Sequence, residues 1–164
     1  MGTTDSQEVR TFASADTSSA PVVDPVEYTG STTDHTVWSC VGNLTAVRSI
    51  RSRVREFLGR TGCAEHVRDD AELAVSELAT NALLHSRSGQ IGGVMTLFIR
   101  VDSRTVRVAV ADQGRKDPHV SDVISREDQN EYGRGKLIVE NCSSRSGEYW
   151  TEATHVAWFE IDLR

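Results

Sequence analysis

Three short runs in this 164-residue chain combine residue types that could do chemistry. Glu77 and Asn81 stand four apart, which puts a carboxylate and an amide on one stripe of a helix, with His85 a further turn along. Asp112-Gln113-Gly114 follows the alternating apolar Val106, Val108 and Val110, so a sheet would fix the carboxylate at a strand end. The glycine there would let a flat ligand approach the backbone, and the carboxylate could accept a hydrogen bond from an exocyclic amine such as adenine's. Gly133-Arg134-Gly135-Lys136 precedes the apolar Leu137-Ile138-Val139. Glycines ahead of a helix expose backbone N–H groups to an anion, and Arg134 and Lys136 would add positive charge.

Each run has a plainer reading. An isolated Glu and Asn four apart simply face solvent, Asp-x-Gly is common turn chemistry, and Gly-Arg-Gly also suits a flexible loop leading into a helix. Their joint occurrence in this order carries more weight than any one of them.

The elements that must position them are legible from periodicity. Residues 1–36, rich in Thr, Ser, Asp and Ala, show no apolar period and read as a flexible acidic tail. Val37, Trp38 and Val41 suit a short strand or an anchoring segment. Asn43 then stands as an N-cap before Leu44, Val47, Ile50, Val54, Phe57 and Leu58, one helical stripe ending near Gly59 or Gly62. The opposite face bears Arg48, Arg51, Arg53, Arg55 and Arg60, a solvated face or, on a sharper reading, a docking surface for an acidic partner. A second helix fits Ala64 to His85, stopped by Ser86-Arg-Ser-Gly89. Residues 93–101 and 105–111 alternate as a hairpin, 137–139 suit a helix, and 148–150 and 155–163 read as strands. Helices first and paired strands after them predict an α+β fold over 37–164: a two-layer α/β sandwich with helices on one face of a mostly antiparallel sheet.

Composition narrows the function. Six of the 24 acids and one of the 18 bases lie in residues 1–36, which leaves the body nearly neutral despite a net charge of -6. A phosphate-backbone binder needs a basic excess on one face, so direct nucleic-acid binding is disfavoured. No stretch approaches the roughly 18 apolar residues of a membrane span, and the start lacks a basic-then-apolar leader, so the expectation is a cytoplasmic protein with no membrane partner. Cys40, Cys63 and Cys142 are too scattered for a disulfide framework or a zinc site.

Taken together, the motifs resemble those of the GHKL, or histidine-kinase-like, ATPases. Glu77-Leu-Ala-Thr-Asn81-Ala-Leu-Leu-His85-Ser86 is similar to their N box, Asp112-Gln113-Gly114 to their G1 box and Gly133-Arg134-Gly135 to their G2 box. More narrowly, the stretch Asp70 to Ser86 resembles the small bacterial anti-sigma factor serine/threonine kinases. That resemblance implies a Bergerat-type sandwich with ATP and Mg2+ as cofactors. It implies Asn81 at the metal and phosphates, Asp112 at the adenine amine, Gly114 beside the base, and Gly133, Arg134, Gly135 and Lys136 at the phosphates. Glu77 would be the catalytic general base, and Arg115 to Tyr132 would form an ATP lid. Expected partners are a sigma factor and an anti-sigma-factor antagonist, the latter phosphorylated on Ser or Thr, and the resemblance leaves a homodimer open. Arg115-Lys116 follows Gly114 without a second Gly, and Thr151-Glu-Ala-Thr-His155 contains none. Those departures favour the alternative, a non-catalytic ATP-binding module that regulates partners by contact alone.

Overall fold

The computed structural model describes residues 33–115 and 126–164, with side chains in the second stretch described from residue 133 onward. Five strands, β1 (Asp34–Val41), β2 (Val94–Val101), β3 (Thr105–Asp112), β4 (Arg145–Trp150) and β5 (His155–Asp162), form one sheet of order β1-β2-β3-β5-β4. Every neighbouring pair is antiparallel. Helices α1 (Ala46–Arg60), α2 (Glu65–His85) and α3 (Arg126–Cys142) pack on one face, with α2 between the other two. This is the two-layer α+β sandwich that the order of elements predicts.

The core lies between the layers because period-2 strands and period-3.6 helices each turn one apolar face inward. Rows of inward residues cross the sheet in register, as in Ile99, Val108 and Phe159, all essentially inaccessible to water. From α1 come Ile50, Val54 and Leu58; from α2 come Val67, Ala71, Ala74, Val75 and Leu78. The small side chains of α2 let that helix lie close to β3.

Several boundaries differ from those expected. Pairing with β2 begins at Asp34, so Asp34, His35 and Thr36 belong to the sheet and not to the tail, whose residues 1–32 lie outside the described residues. A strand's start is set here by its partner's length, which single-residue texture does not reveal. Asn43 stands two residues further out than an N-cap of α1: its Oδ1 accepts from the backbone and hydroxyl of Thr45, and Leu44 is left fully exposed.

The arginines of α1 are largely engaged within the fold. Arg51 pairs with Glu72 at 2.8 Å, and Arg55 reaches Asp69, Glu72 and Glu65 of α2. Arg53 lies over the Trp38 ring, 4.9 Å from its centroid. On the outer sheet face Arg107, Glu160 and Arg145 form a cross-strand ladder, with N–O distances of 2.9 Å and 2.8 Å. The three cysteines are free and half-buried, and burial pushes the Cys40 and Cys142 thiols up. No described helix is long and apolar enough to cross a membrane.

The largest correction concerns α3. The Gly-Arg-Gly run was expected ahead of a helix, yet α3 starts at Arg126 and carries Gly133, Arg134 and Gly135 within it. Glycine costs about 1 kcal/mol in a helix interior relative to alanine. The segment before it, Arg-Glu-Asp-Gln-Asn-Glu, holds good helix formers, and α3 crosses α2 where a β-carbon at position 135 would meet the tip of Glu77. Of the expected lid, residues 116–125 lie outside the described residues.

Candidate functional site

A cavity of about 590 Å³ opens between α2, α3 and the C-terminal end of β3. That size lies within the range of small-molecule sites. One wall is helical: Asn81 and His85 lie a turn apart on α2, over the apolar Leu78 and Ala82. The opposite wall is the sheet, which continues the core rows by one step, so Val110 and Ala157 give way to Asp112 and His155. Lys136 and Glu140 close it from α3.

Asp112 is the most enclosed charged group of the site, with 5% of its side chain exposed. Strand β3 places it, and Gly114, at φ 75°, lets the chain double back so that its N–H donates to Asp112 Oδ1 at 2.8 Å. A strap of serines fixes that corner to the end of α2. Ser86 Oγ donates to Ala82 O, and Ser88 Oγ donates to Val94 O and accepts from Gln113 N. Arg87 donates from its backbone N to Gly114 O and from Nε to Gln113 O, each at 2.9 Å.

The second oxygen, Asp112 Oδ2, lies 2.9 Å from His155 Nδ1, and His155 Nε2 lies 2.9 Å from Glu148 Oε2. Burial pulls this imidazole down, but the flanking Asp112 and Glu148 outweigh it and raise it above the ordinary histidine value. Trp150 packs on the same ring, centroids 4.1 Å apart, and Arg115 lies over Trp150.

The expected site residues fall into two groups. Asn81, Asp112 and Lys136 meet at the cavity. Glu77 does not line it: half-buried one turn before Asn81, it rests against α3, where a Cβ on Gly135 would stand 2.8 Å from Oε2. Gly114 faces a neighbouring concavity with Arg87, Arg115 and Ala153, displaced from the space expected beside the base. Gly133 and Arg134 are exposed on α3, so no helix N-terminus is aimed at the cavity from them.

The residues present fit an adenine nucleotide in three respects. There is a buried acceptor at one end, there are apolar walls, and Lys136 and Arg115 supply positive charge. Mg2+ keeps most of its waters and phosphate oxygens and needs only one or two protein ligands, a demand that the Asn81 amide oxygen can meet. Among the described residues no group of three or more His, Cys, Asp or Glu could hold a metal unaided. Sequence reading missed His155, Glu148 and Trp150. The available signal was register: once β3 and β5 pair, a histidine falls directly opposite Asp112.

Residues 40–156 match the family described as the histidine kinase-like ATPase domain. The anti-sigma F factor of Clostridium acetobutylicum is 31% identical over 78 residues, 44% of this chain and 54% of that protein, so the match spans about half of that relative's length. Among solved structures, the RsbU and RsbW domains of Rv1364c from Mycobacterium tuberculosis superpose with a TM-score of 0.59 at 19% identity, over 78% of this chain and 31% of that one. That likeness is one of fold.

Proposed function

The chain belongs to the histidine kinase-like ATPase family, and from that premise we propose that it is an ATP-dependent regulatory serine/threonine kinase of the anti-sigma factor type. It would act in the cytoplasm, phosphorylating an anti-sigma-factor antagonist and binding a sigma factor. One observation carries the reading: Asn81, Asp112 and Lys136, from three separate elements, converge on a single cavity. The partial similarity to an anti-sigma F factor supports the choice of partners.

Bound there, ATP with Mg2+ supplies the transferable γ-phosphoryl group. The chain's part is positioning and charge. Asp112 accepts from the base amine, Lys136 offsets phosphate charge, and the Asn81 amide oxygen holds the metal side of the polyphosphate. Glu77 takes the proton of the partner's Ser or Thr hydroxyl as that oxygen bonds to the γ-phosphorus and the bond from the γ-phosphorus to the bridging oxygen breaks, with ADP as the leaving group.

A second reading, an ATP-binding module that regulates by contact alone, is favoured by the placement of Glu77 away from the cavity and against Gly135. Labelled phosphate transfer from ATP to a Ser-bearing antagonist separates the two. On the kinase reading, Glu77→Ala keeps ATP affinity while transfer falls by about a hundred-fold or more, and Asn81→Ala weakens both. Equal transfer by wild type and Glu77→Ala removes Glu77 from the chemistry; ATP binding without transfer in the wild type establishes the contact module.

A further inference from the structure

His155 has a carboxylate on each ring nitrogen, Asp112 Oδ2 at Nδ1 and Glu148 Oε2 at Nε2, both at 2.9 Å. A neutral imidazole owns one N–H and would turn a lone pair on one of these oxygens; only the imidazolium donates to both. The ring has little freedom to choose otherwise. Asp112 and Trp150 are its cross-strand partners on either side, and its side chain is 15% exposed. The two carboxylates differ: that of Asp112 is buried, that of Glu148 half-exposed.

We propose that His155, as a doubly donating imidazolium, is the positioning residue that holds Asp112 for the base of an adenine nucleotide, so that nucleotide affinity depends on the His155 proton. The inference rests on the ATP reading of the cavity. With one lone pair of Oδ1 taken by the Gly114 N–H and one of Oδ2 by His155, one lone pair on each oxygen is left to accept from an amine. As pH rises and the ring loses its second proton, one N–H must serve two carboxylates. One side of the clamp then opens, and that part of the wall passes from one net negative charge to two, which opposes a polyphosphate. Both effects have the same sign: affinity is highest with the ring protonated and falls as pH rises through its titration. That titration lies above 6.5, since burial, which lowers it, is outweighed by the two carboxylates. The other charged groups around the ring are Arg115 after β3, His85 on α2, and Lys136 and Glu140 on α3. Comparison with His155→Ala removes the ring's contribution and retains theirs.

The test is calorimetric titration of the full chain with ATP and magnesium between about pH 6 and about pH 9, for wild type, His155→Ala and His155→Asn. Wild-type affinity should fall by roughly ten-fold across that range, the equivalent of one unit of coupling. His155→Ala should bind more weakly than wild type at the acid end and lack the slope that the ring supplies, so that the difference between the two shrinks as pH rises. His155→Asn keeps a donor for Asp112 but no titrating proton, and should recover affinity without the slope. Identical pH profiles for an ATP-binding wild type and His155→Ala overturn the assignment and leave the ATP reading standing, whereas no ATP binding at any pH overturns both. An arm without nucleotide reads the ring itself: NMR should show His155 titrating above 6.5, with Glu148→Gln bringing it down. Titration at or below the ordinary histidine value ends the proposal whatever ATP does.

Discussion

The Oε2 of Glu77 stands 2.8 Å from where a β-carbon at position 135 would be, so the acid of α2 and the glycine of α3 occupy one contact. Real β-carbons essentially never come that close to an oxygen. Gly135→Ala therefore displaces the tip of Glu77, a flexible side chain, at small cost to the fold. Alanine recovers about 1 kcal/mol of helix propensity, so the melting temperature should hold within a few degrees or rise. Phosphate transfer should fall by about ten-fold or more as the base is pushed aside. Calorimetry and a transfer assay on the same preparation check both halves, and unchanged transfer would separate Gly135 from the work of Glu77.

Asp112→Ala removes a buried acceptor from the closed end of the cavity. Losing a hydrogen bond to a charged group costs about 1.5 to 3 kcal/mol, or roughly ten-fold to over a hundred-fold in affinity. Titration with ATP and magnesium should show that loss. Unchanged affinity would move the base elsewhere.

Glu160 is a stability switch on the outer sheet face. Burial alone would raise its carboxyl, but Arg145 and Arg107 outweigh burial and hold it below 4.5. A lowered folded-state value means stability that is complete above the unfolded value and lost as pH falls through the folded one. Glu160→Gln should melt several degrees below wild type at neutral pH. The gap should narrow as pH drops below about 4.5, followed by scanning calorimetry at matched ionic strength.

Phe159 is fully buried in the central row with Val108 and Ile99. Phe159→Ala should cost about 3 to 5 kcal/mol. Urea unfolding should show a lowered midpoint with an unchanged slope, the signature of lost packing in an otherwise intact native state.

Most of the fold was legible because its period is local. The stripe Ile50, Val54, Leu58 and the alternation Val106, Val108, Val110 each announce their element within a dozen residues. The hairpin turn was equally local, with Asp102 Oδ1 accepting from the backbones of Arg104 and Thr105. What escaped was set from a distance. Asp34–Thr36 are strand because β2 is long enough to pair with them, and α3 runs through Gly133–Gly135, with Gly135 set against the tip of Glu77 on α2. At the cavity, Asn81, Asp112 and Lys136 were legible as candidates from their motifs. His155 was not, since only the pairing of β3 with β5 turns a strand-leading histidine into a neighbour of Asp112.

The order β1-β2-β3-β5-β4 also bears on how the molecule assembles in time. The hairpins β2–β3 and β4–β5 each join neighbours in sequence, and such pairs form within about 1–10 μs. The seam between β3 and β5 must instead bring together residues 43 positions apart, the separation of Asp112 from His155. Long-range pairing of this kind is the slow part of a folding reaction. A chain with both hairpins complete still has no cavity wall. The Asp112–His155 contact is therefore a reporter of the closed seam, and whatever binds there pulls on a long-range join of the sheet.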